Sequence, residues 1–399
     1  MEDPALLPAT DKRRLMAHFD EWPTDREVTL DRVRALLSDP SRVGEPLLGK
    51  YLVATTSGTT GTPGIFVLDD AHVRIGRVAT RQAFAQWLGP RDYLRILGSG
   101  MRLAVVHATG GHYVSVASIT RMRDASALAR TLVRDFPVET PLPELVSELN
   151  AFRPAVLIGY ATVIALLARE REAGRLRIRP ALVVVTAEGL EESEYARIGE
   201  SFGARVGNVW GSTEIAGAAY SCAQGWLHLL DEWVVVEPVD AEHRPTPTGE
   251  ESHTVLVTNL ANRVQPILRY DLGDRVLMRP DLCPCGNPRP AVRVVGRVGE
   301  VLTFTGTDGA EIQVPPLALS VDEVPGVEQF QLVQTGPASV RVRLRTAPGT
   351  DREAVWVEVQ RSLAGFLGRR GAGHVRIERG DEPPERSPGG KHRTVIPLR

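Results

Sequence analysis

Apolar and polar positions along this 399-residue chain fall into two regimes. Through the first three quarters, short apolar runs alternate with longer stretches of helical period. Residues 31–38, 117–136, 142–152, 161–173 and 191–202 carry apolar side chains three and four apart, which predicts amphipathic helices. Residues 155–158 and 181–185 are short and wholly apolar, as strands covered on both faces are. That alternation predicts βαβ units and a largely parallel sheet. From Trp233 the pattern becomes strand-rich, with strands expected at 233–237, 254–258 and 276–278. The last quarter has a ββαβ order, with strands at 327–333, 340–345 and 375–378 and a helix over 352–367. A break near Gly296–Gly299 separates a large domain, 1–297, from a small α+β domain, 298–399. The fold class is therefore α/β, with mixed sheets and flanking helices in the large domain.

Composition narrows the setting. A net charge of −2 offers no attraction to nucleic acid or to an anionic membrane, and neither partner is expected. The start, Met1-Glu-Asp-Pro, lacks the basic and apolar regions of a signal peptide. The longest apolar stretch, 155–168, is too short to cross a bilayer. The 3 cysteines do not make a disulfide framework and fit a reducing cytosol. A soluble cytoplasmic protein is expected, and nothing in the composition opposes a homodimer.

Two local features carry chemistry. Thr55-Thr-Ser-Gly-Thr-Thr-Gly-Thr-Pro-Gly64 lies between the apolar runs 51–54 and 65–68. Its hydroxyls and glycine backbone N–H groups can surround phosphate oxygens without steric penalty. No Gly-Lys-Ser/Thr follows, so it is not a Walker loop. A polar hairpin turn is the simpler alternative, but five threonines and a serine in ten residues exceed what a turn requires. The second feature is Lys391, in Ser387-Pro-Gly-Gly-Lys-His-Arg393. The chain has only 3 lysines against 44 arginines. A lysine kept where arginine is the default suggests a need for a compact point charge; a surface lysine on a frayed tail is the plainer alternative.

The cysteines form a third feature. Cys222 and His228 stand in a Cys-x5-His spacing, and Cys283-Pro-Cys285 puts two more sulfurs in a Pro/Gly-rich turn. Three thiolates and an imidazole are a common tetrahedral zinc set, and with no open position such a site is structural. Three unremarkable thiols are the alternative, but no cysteine is left outside the group.

In order along the chain, the 55–64 loop, Trp210-Gly-Ser-Thr-Glu214, Arg269-Tyr-Asp-Leu-Gly-Asp274, Gly296-Arg297 and Gly389-Gly-Lys391 resemble the motifs of adenylate-forming enzymes: acyl-CoA synthetases, adenylation domains and luciferases. Details such as Cys283-Pro-Cys-Gly286 look most like the phenylacetate–CoA ligase branch, some members of which carry similar metal ligands. The resemblance implies ATP, Mg2+ and a small carboxylic acid as reactants. The acid becomes an acyl adenylate with release of pyrophosphate, and the acyl group then passes to an acceptor such as CoA. It implies that Ser57, Gly58, Thr59, Thr60 and Gly61 hold phosphates. Thr213 and Glu214 then serve the metal and the reaction, and Ala187, Glu188 and Gly189 border adenine. Trp210, where relatives usually have tyrosine, stacks on adenine beside Gly211 and Ser212. Asp274 accepts the ribose hydroxyls, Arg297 contacts the nucleotide from a hinge, and Lys391 bridges carboxylate and α-phosphate from a small domain that turns between half-reactions. Each has a plainer alternative: Trp210 as core, Asp274 as a turn cap, Glu214 at the start of a helix at Ile215.

The acid pocket is expected around His107, Gly110, Gly111, His112, Tyr113 and Tyr160, although both histidines could be ordinary loop residues. An aromatic or arylacetic acid follows from the branch alone. The chain also departs from the family. Gly299 replaces the aspartate usual two residues past the hinge arginine. Residues 304–312 read as a hairpin around Asp308-Gly309 in place of the usual pantetheine rim. An amine, a carrier-protein thiol or a small nitrogen nucleophile therefore stands beside CoA as acceptor. A non-catalytic, zinc-stabilised nucleotide-binding protein is the reading from another class.

Overall fold

The computed structural model describes residues 7–56, 64–109, 112–124, 126–138, 140–190, 192–297, 302–306, 311–314, 321, 324–369, 371–386 and 393–398. These divide into two compact units, one of Leu7–Leu272 and Val276–Val294, the other of Gly273–Arg275 and the described residues from Val295 on.

The first unit opens with helices α1 (Lys12–Ala17) and α2 (Leu30–Leu37), then the antiparallel hairpin β1 (Leu52–Thr55) and β2 (Ile65–Leu68). Helices α3 (Asp70–Trp87) and α4 (Pro90–Gly98) lead into strand β3 (Leu103–His107), followed by α5 (Val114–Asp124), α6 (Ala127–Leu132) and β4 (Val133–Pro137). The alternation continues through α7 (Leu142–Phe152), β5 (Val156–Tyr160), α8 (Ala161–Glu172), β6 (Leu182–Thr186), α9 (Glu192–Phe202) and β7 (Arg205–Ser212). Strands β8 (Ala216–Ser221), β9 (Leu227–Leu229), β10 (Val234–Val239), β11 (Thr254–Asn259), β12 (Ile267–Asp271) and the larger parts of β13 (Asp274–Met278) and β14 (Ala291–Arg297) complete it.

Nine strands form one sheet in the order β13-β14-β9-β8-β7-β6-β5-β3-β4. From β4 to β7 the pairing is parallel, and β8 and β9 then run back and forth beside β7. Helices must cover a parallel sheet because its strands are apolar on both sides. Phe136, Leu149, Leu157, Ile164, Leu167 and Val183 are accordingly fully buried in one core, each such side chain contributing about 1.5–3 kcal/mol. Strands β10, β11 and β12 form a separate antiparallel sheet. A second core joins it to the β1–β2 hairpin and includes Leu52, Phe66, Trp210, Val257 and Tyr270.

The chain leaves β3 outward to β4, then crosses back so that β5, β6 and β7 extend the sheet the other way. Open parallel sheets bind ligands beyond the carboxyl ends of their strands at such a reversal. Here His107 and Tyr160 are the last residues of the two flanking strands.

The single helix expected over 117–136 is instead two short helices and a strand. Ser126 accepts the Ala129 N–H and restarts the helix. Val133–Pro137 pairs in parallel with β3 and buries Val133 and Phe136, so sheet pairing outweighs the helical period. The long helix α3 was not foreseen; it buries only His72, Ala79, Ala83 and Trp87, which dilutes its apolar stripe.

The second unit contains β15 (Leu302–Thr305), β16 (Glu311–Val314), β17 (Val327–Gly336), β18 (Ser339–Thr346), α10 (Arg352–Arg369), β19 (Arg376–Arg379) and β20 (Val395–Ile396). Its four-stranded sheet has the order β19-β18-β17-β20, packed with Trp356, Val359, Leu363 and Leu367 of α10 in one core. β15 and β16 pair antiparallel, as the hairpin reading requires; the tip at 307–310 lies outside the described residues.

Candidate active site and metal centre

Because β3, β5, β6 and β7 are parallel, their carboxyl ends share one edge of the sheet. His107, Tyr160, Ala187–Gly189 and Trp210–Glu214, spread over a hundred residues of sequence, therefore line up along it. Tyr160 Oη accepts the Ala108 N–H at 3.3 Å across the β3/β5 reversal. His107 is buried, its Nδ1 3.0 Å from Ser115 Oγ and its Nε2 without a partner among the described residues. Burial lowers its pKa, against a smaller opposing pull from Asp135, so the ring is neutral. His112 is also buried, its Nε2 has no partner among the described residues, and burial lowers its pKa as well. Its carbonyl receives the Thr55 N–H at 2.7 Å, and Tyr113 bridges to Thr55. The start of the hydroxyl-rich loop is thus tied to two residues of the expected acid pocket. Ser57, Gly58, Thr59, Thr60, Gly61, Gly110, Gly111 and Lys391 lie outside the described residues. On either side of 387–392, Glu385 and Arg393 are both held by the buried Gln331 amide, whose Nε2 donates to Glu385 O at 3.2 Å and Arg393 O at 2.9 Å.

Glu188 accepts from both the Thr162 N–H (3.0 Å) and Oγ1 (2.7 Å), capping the first turn of α8. Ala187 beside it has φ 69°, a left-handed conformation costing an alanine about 1–2 kcal/mol. A second such alanine, Ala216 at φ 56°, closes the turn that carries Thr213 and Glu214. Strained non-glycine residues concentrate at functional sites. The turn leads directly from β7 into β8, so no helix starts at Ile215. It is tight: a Cβ on Gly211 would sit 2.0 Å from Ala216 O. Ser212 Oγ is buried and has no partner among the described residues, a polar atom that a bound ligand would satisfy. Trp210 is 7 % exposed and belongs to the second core.

Glu214 is itself only 7 % exposed. Its Oε1 accepts from Tyr270 Oη at 3.1 Å, and its backbone carbonyl accepts from Asn259 Nδ2 at 2.8 Å. Among the described residues no lysine or arginine pairs with it. A buried carboxylate without a protein cation is costly, and a bound divalent cation would relieve it. Tyr270 and Asn259 had no assigned role in the sequence; the signal was a set of amides, Asn259, Asn262 and Gln265, spaced three apart in a buried segment. In the second unit, Asp274 and Arg297 form an ion pair at 2.9 Å, the carboxylate 13 % exposed and the guanidinium 45 %.

The four expected metal ligands come together. One donor atom each from Cys222, His228, Cys283 and Cys285 fits within a 4.8 Å spread. Cys222 and Cys283 sulfurs are 3.7 Å apart, and Cys285 Sγ is 3.2 Å from His228 Nε2. The topology explains the meeting. Cys222 directly follows β8 and His228 lies in β9, while the two other cysteines sit between β13 and β14, and β14 pairs with β9. His228 Nδ1 lies 3.2 Å from the Arg289 carbonyl; donating there leaves Nε2 as the metal-facing atom. Gln224 and Asn287 point backbone N–H groups at Cys222 and Cys285 sulfurs, at 3.4 and 3.5 Å. Burial pushes the Cys222 thiol up to about 11 and lowers the His228 pKa. Burial also opposes ionisation of Cys283, but the Cys285 N–H and the neighbouring thiols bring it below the ordinary value. The donor set and its N–H···S support suit tetrahedral zinc. The centre is set apart from the Glu214 turn by the six residues of β8, about 20 Å at the rise of a strand.

No family model matches the chain. Phenylacetate–coenzyme A ligase of Thermus thermophilus is 29% identical over 296 residues, 70% of this chain and 62% of that protein. The chain thus aligns with less than two thirds of that relative's length. A solved 2-hydroxyisobutyryl-CoA ligase in the postadenylation state, bound to an acyl-AMP, matches with TM-score 0.66 at 19% identity, over 98% of this chain and 80% of that one. An anthranilate–CoA ligase bound to anthranoyl-AMP matches with TM-score 0.57 at 16% identity, over 86% and 65%. At those identities the structures speak for the fold. Among the described residues no helix is long and apolar enough to cross a membrane.

Proposed function

We propose that this chain, adenylate-forming in fold and phenylacetate–CoA ligase-like in sequence, activates a carboxylic acid with ATP. An acid oxygen attacks the α-phosphorus, the bond to pyrophosphate breaks, and an acyl adenylate remains for transfer to an acceptor, with CoA the first choice. The observation that carries this reading is Glu214: a buried carboxylate, held by Tyr270, with no lysine or arginine paired to it among the described residues, on the sheet edge shared by His107, Tyr160 and Ala187–Gly189.

Glu214 would supply an oxygen ligand to Mg2+ on the phosphates, a hard cation that suits carboxylate. Ser57, Thr59, Thr60 and the loop glycines would donate to the β- and γ-phosphates, Ser212 and Ala187–Gly189 would border the nucleoside, and Asp274 would accept the ribose hydroxyls. Lys391 would offset the charge that builds on the carboxylate and α-phosphate. Catalysis of this kind is mostly positioning plus electrostatic stabilisation. Neutral His107 and Tyr160 at the β3/β5 reversal would border an aromatic or arylacetic acid. The cysteine–histidine centre would hold one structural zinc. The hairpin at β15–β16 in place of the usual rim keeps an amine, a carrier-protein thiol or a small nitrogen nucleophile as alternative acceptors.

The test is acid-dependent ATP–pyrophosphate exchange over benzoic, arylacetic, cinnamic and short aliphatic acids. Exchange with one class supports adenylation and names the substrate. Lys391→Ala should then lose exchange by orders of magnitude and keep most of its ATP affinity. Equal exchange in parent and variant, or none with any acid, would count against a ligase.

A further inference from the structure

Behind the Glu214 turn lies a network of buried amides. Asn259, Asn262, Gln265 and His72 are each 5 % exposed or less. Asn259 Nδ2 sends one hydrogen to the Glu214 carbonyl at 2.8 Å and faces His72 Nδ1 at 3.3 Å with the other. Its Oδ1 accepts the N–H groups of Ala261 (2.8 Å) and Asn262 (3.2 Å), which fixes which end of the amide is which. Since Nδ2 can only donate, His72 Nδ1 accepts, and burial keeps that imidazole neutral. Asn262 Nδ2 donates to Val67 O at 2.9 Å and Gln265 O at 3.1 Å, while its Oδ1 accepts from Asp69 N at 3.1 Å. Gln265 Oε1 accepts from Val67 N at 2.6 Å. The network therefore ends on two elements: the Glu214 turn, and β2, the strand that follows the hydroxyl-rich loop.

Capping the 259–265 segment explains Asn259 Oδ1, which receives two local N–H groups. It does not explain Nδ2, which reaches across 45 residues of sequence to one carbonyl. That carbonyl belongs to the residue whose carboxylate Tyr270 holds from the neighbouring strand, in a turn closed by a left-handed alanine. An amide donor is well suited to hold such a turn in one conformation.

We infer that Asn259 is a positioning residue: it locks the Glu214 turn to the strand leaving the phosphate loop, so that metal-binding carboxylate and phosphate-binding segment share one frame. This rests on reading Glu214 as the magnesium carboxylate.

Asn259→Asp replaces the NH2 by oxygen, keeps the acceptor used by Ala261 and Asn262, and loses the donor to Glu214. The Mg2+ concentration for half-maximal pyrophosphate exchange should rise about tenfold, the scale of one hydrogen bond, with the KM for the acid unchanged. Backbone hydrogen exchange should speed at 211–217 and stay slow in β5 and β6. An unchanged Mg2+ requirement, or equal loosening throughout, overturns the inference. Should that variant not fold, His72→Phe removes only the second hold on Asn259, and a Mg2+ requirement equal to the parent's overturns the inference too. A parent that shows no exchange sinks the ligase reading separately. Calorimetric ATP titrations with and without Mg2+ then decide: a tightening by Mg2+ that weakens in the variant supports the positioning role, and its absence from the parent, or equality in both, ends it.

Discussion

Stripping metal from the cysteine–histidine centre should loosen the first unit and leave the second alone. The centre joins two hairpins, β8–β9 and β13–β14, whose β9–β14 ladder has only two residue pairs, Ala291↔His228 and Val292↔Leu227. Cys222 and Cys283 are 61 residues apart in sequence. A cross-link closing a loop of that length removes about 4 kcal/mol of chain entropy from the unfolded state, if the metal acts as a disulfide would. Unfolding entropy of about 2 cal/mol/K per residue over nearly three hundred residues converts this to a drop of about 7 °C in melting temperature. The assay is metal content per chain, followed by thermal unfolding with and without a strong chelator and after zinc is returned. About one zinc per chain is expected, with the transition falling on chelation and recovering on readdition. Cys283→Ser should melt near the chelated parent whether or not zinc is present. Washed protein free of zinc, or a transition moved by less than about 2 °C when a full cross-link is lost, would refute the metal reading.

Two further outcomes follow from single residues. Tyr270→Phe removes the hydroxyl that donates to Glu214 Oε1, a bond to a carboxylate worth about 1.5 kcal/mol. Pyrophosphate exchange should fall about tenfold with little change in melting, and a rate equal to the parent's would show that Glu214 needs no such hold. Burial lowers His72 from 6.5 to about 4, with Asp69 opposing. Between those values the unfolded chain binds the proton and the folded one does not, so the stability given by neutral His72 is present above about 6.5 and lost as pH falls towards 4. The loss approaches 3 kcal/mol, roughly; denaturant unfolding at several pH values should show it in the parent and not in His72→Phe, and parallel curves would defeat it.

Much of the architecture was legible because it is written locally. Residues 142–152 and 161–173 repeat at helical spacing, and 155–158 and 181–185 are apolar throughout, so α7, α8, β5 and β6 stand close to their expected places. The order of motifs and the grouping of every cysteine with one histidine were equally open to reading, since residue type and spacing alone carry them. Local pattern failed where a partner decided. Val133–Pro137 has enough helical period to extend a helix, yet it is a strand because the edge of β3 is there to pair with it. Asn259, Asn262 and Gln265 look like loop amides until β2 and the Glu214 turn are brought to them, across 195 residues in the bond from Asn262 to Val67. The sequence by itself determined which chemical groups the chain carries and the α/β class of its fold. Tertiary structure alone decided that Glu214 is buried with no lysine or arginine paired to it among the described residues and that four candidate metal ligands meet, because burial and hydrogen-bond partnership depend on contacts between segments that no local periodicity encodes.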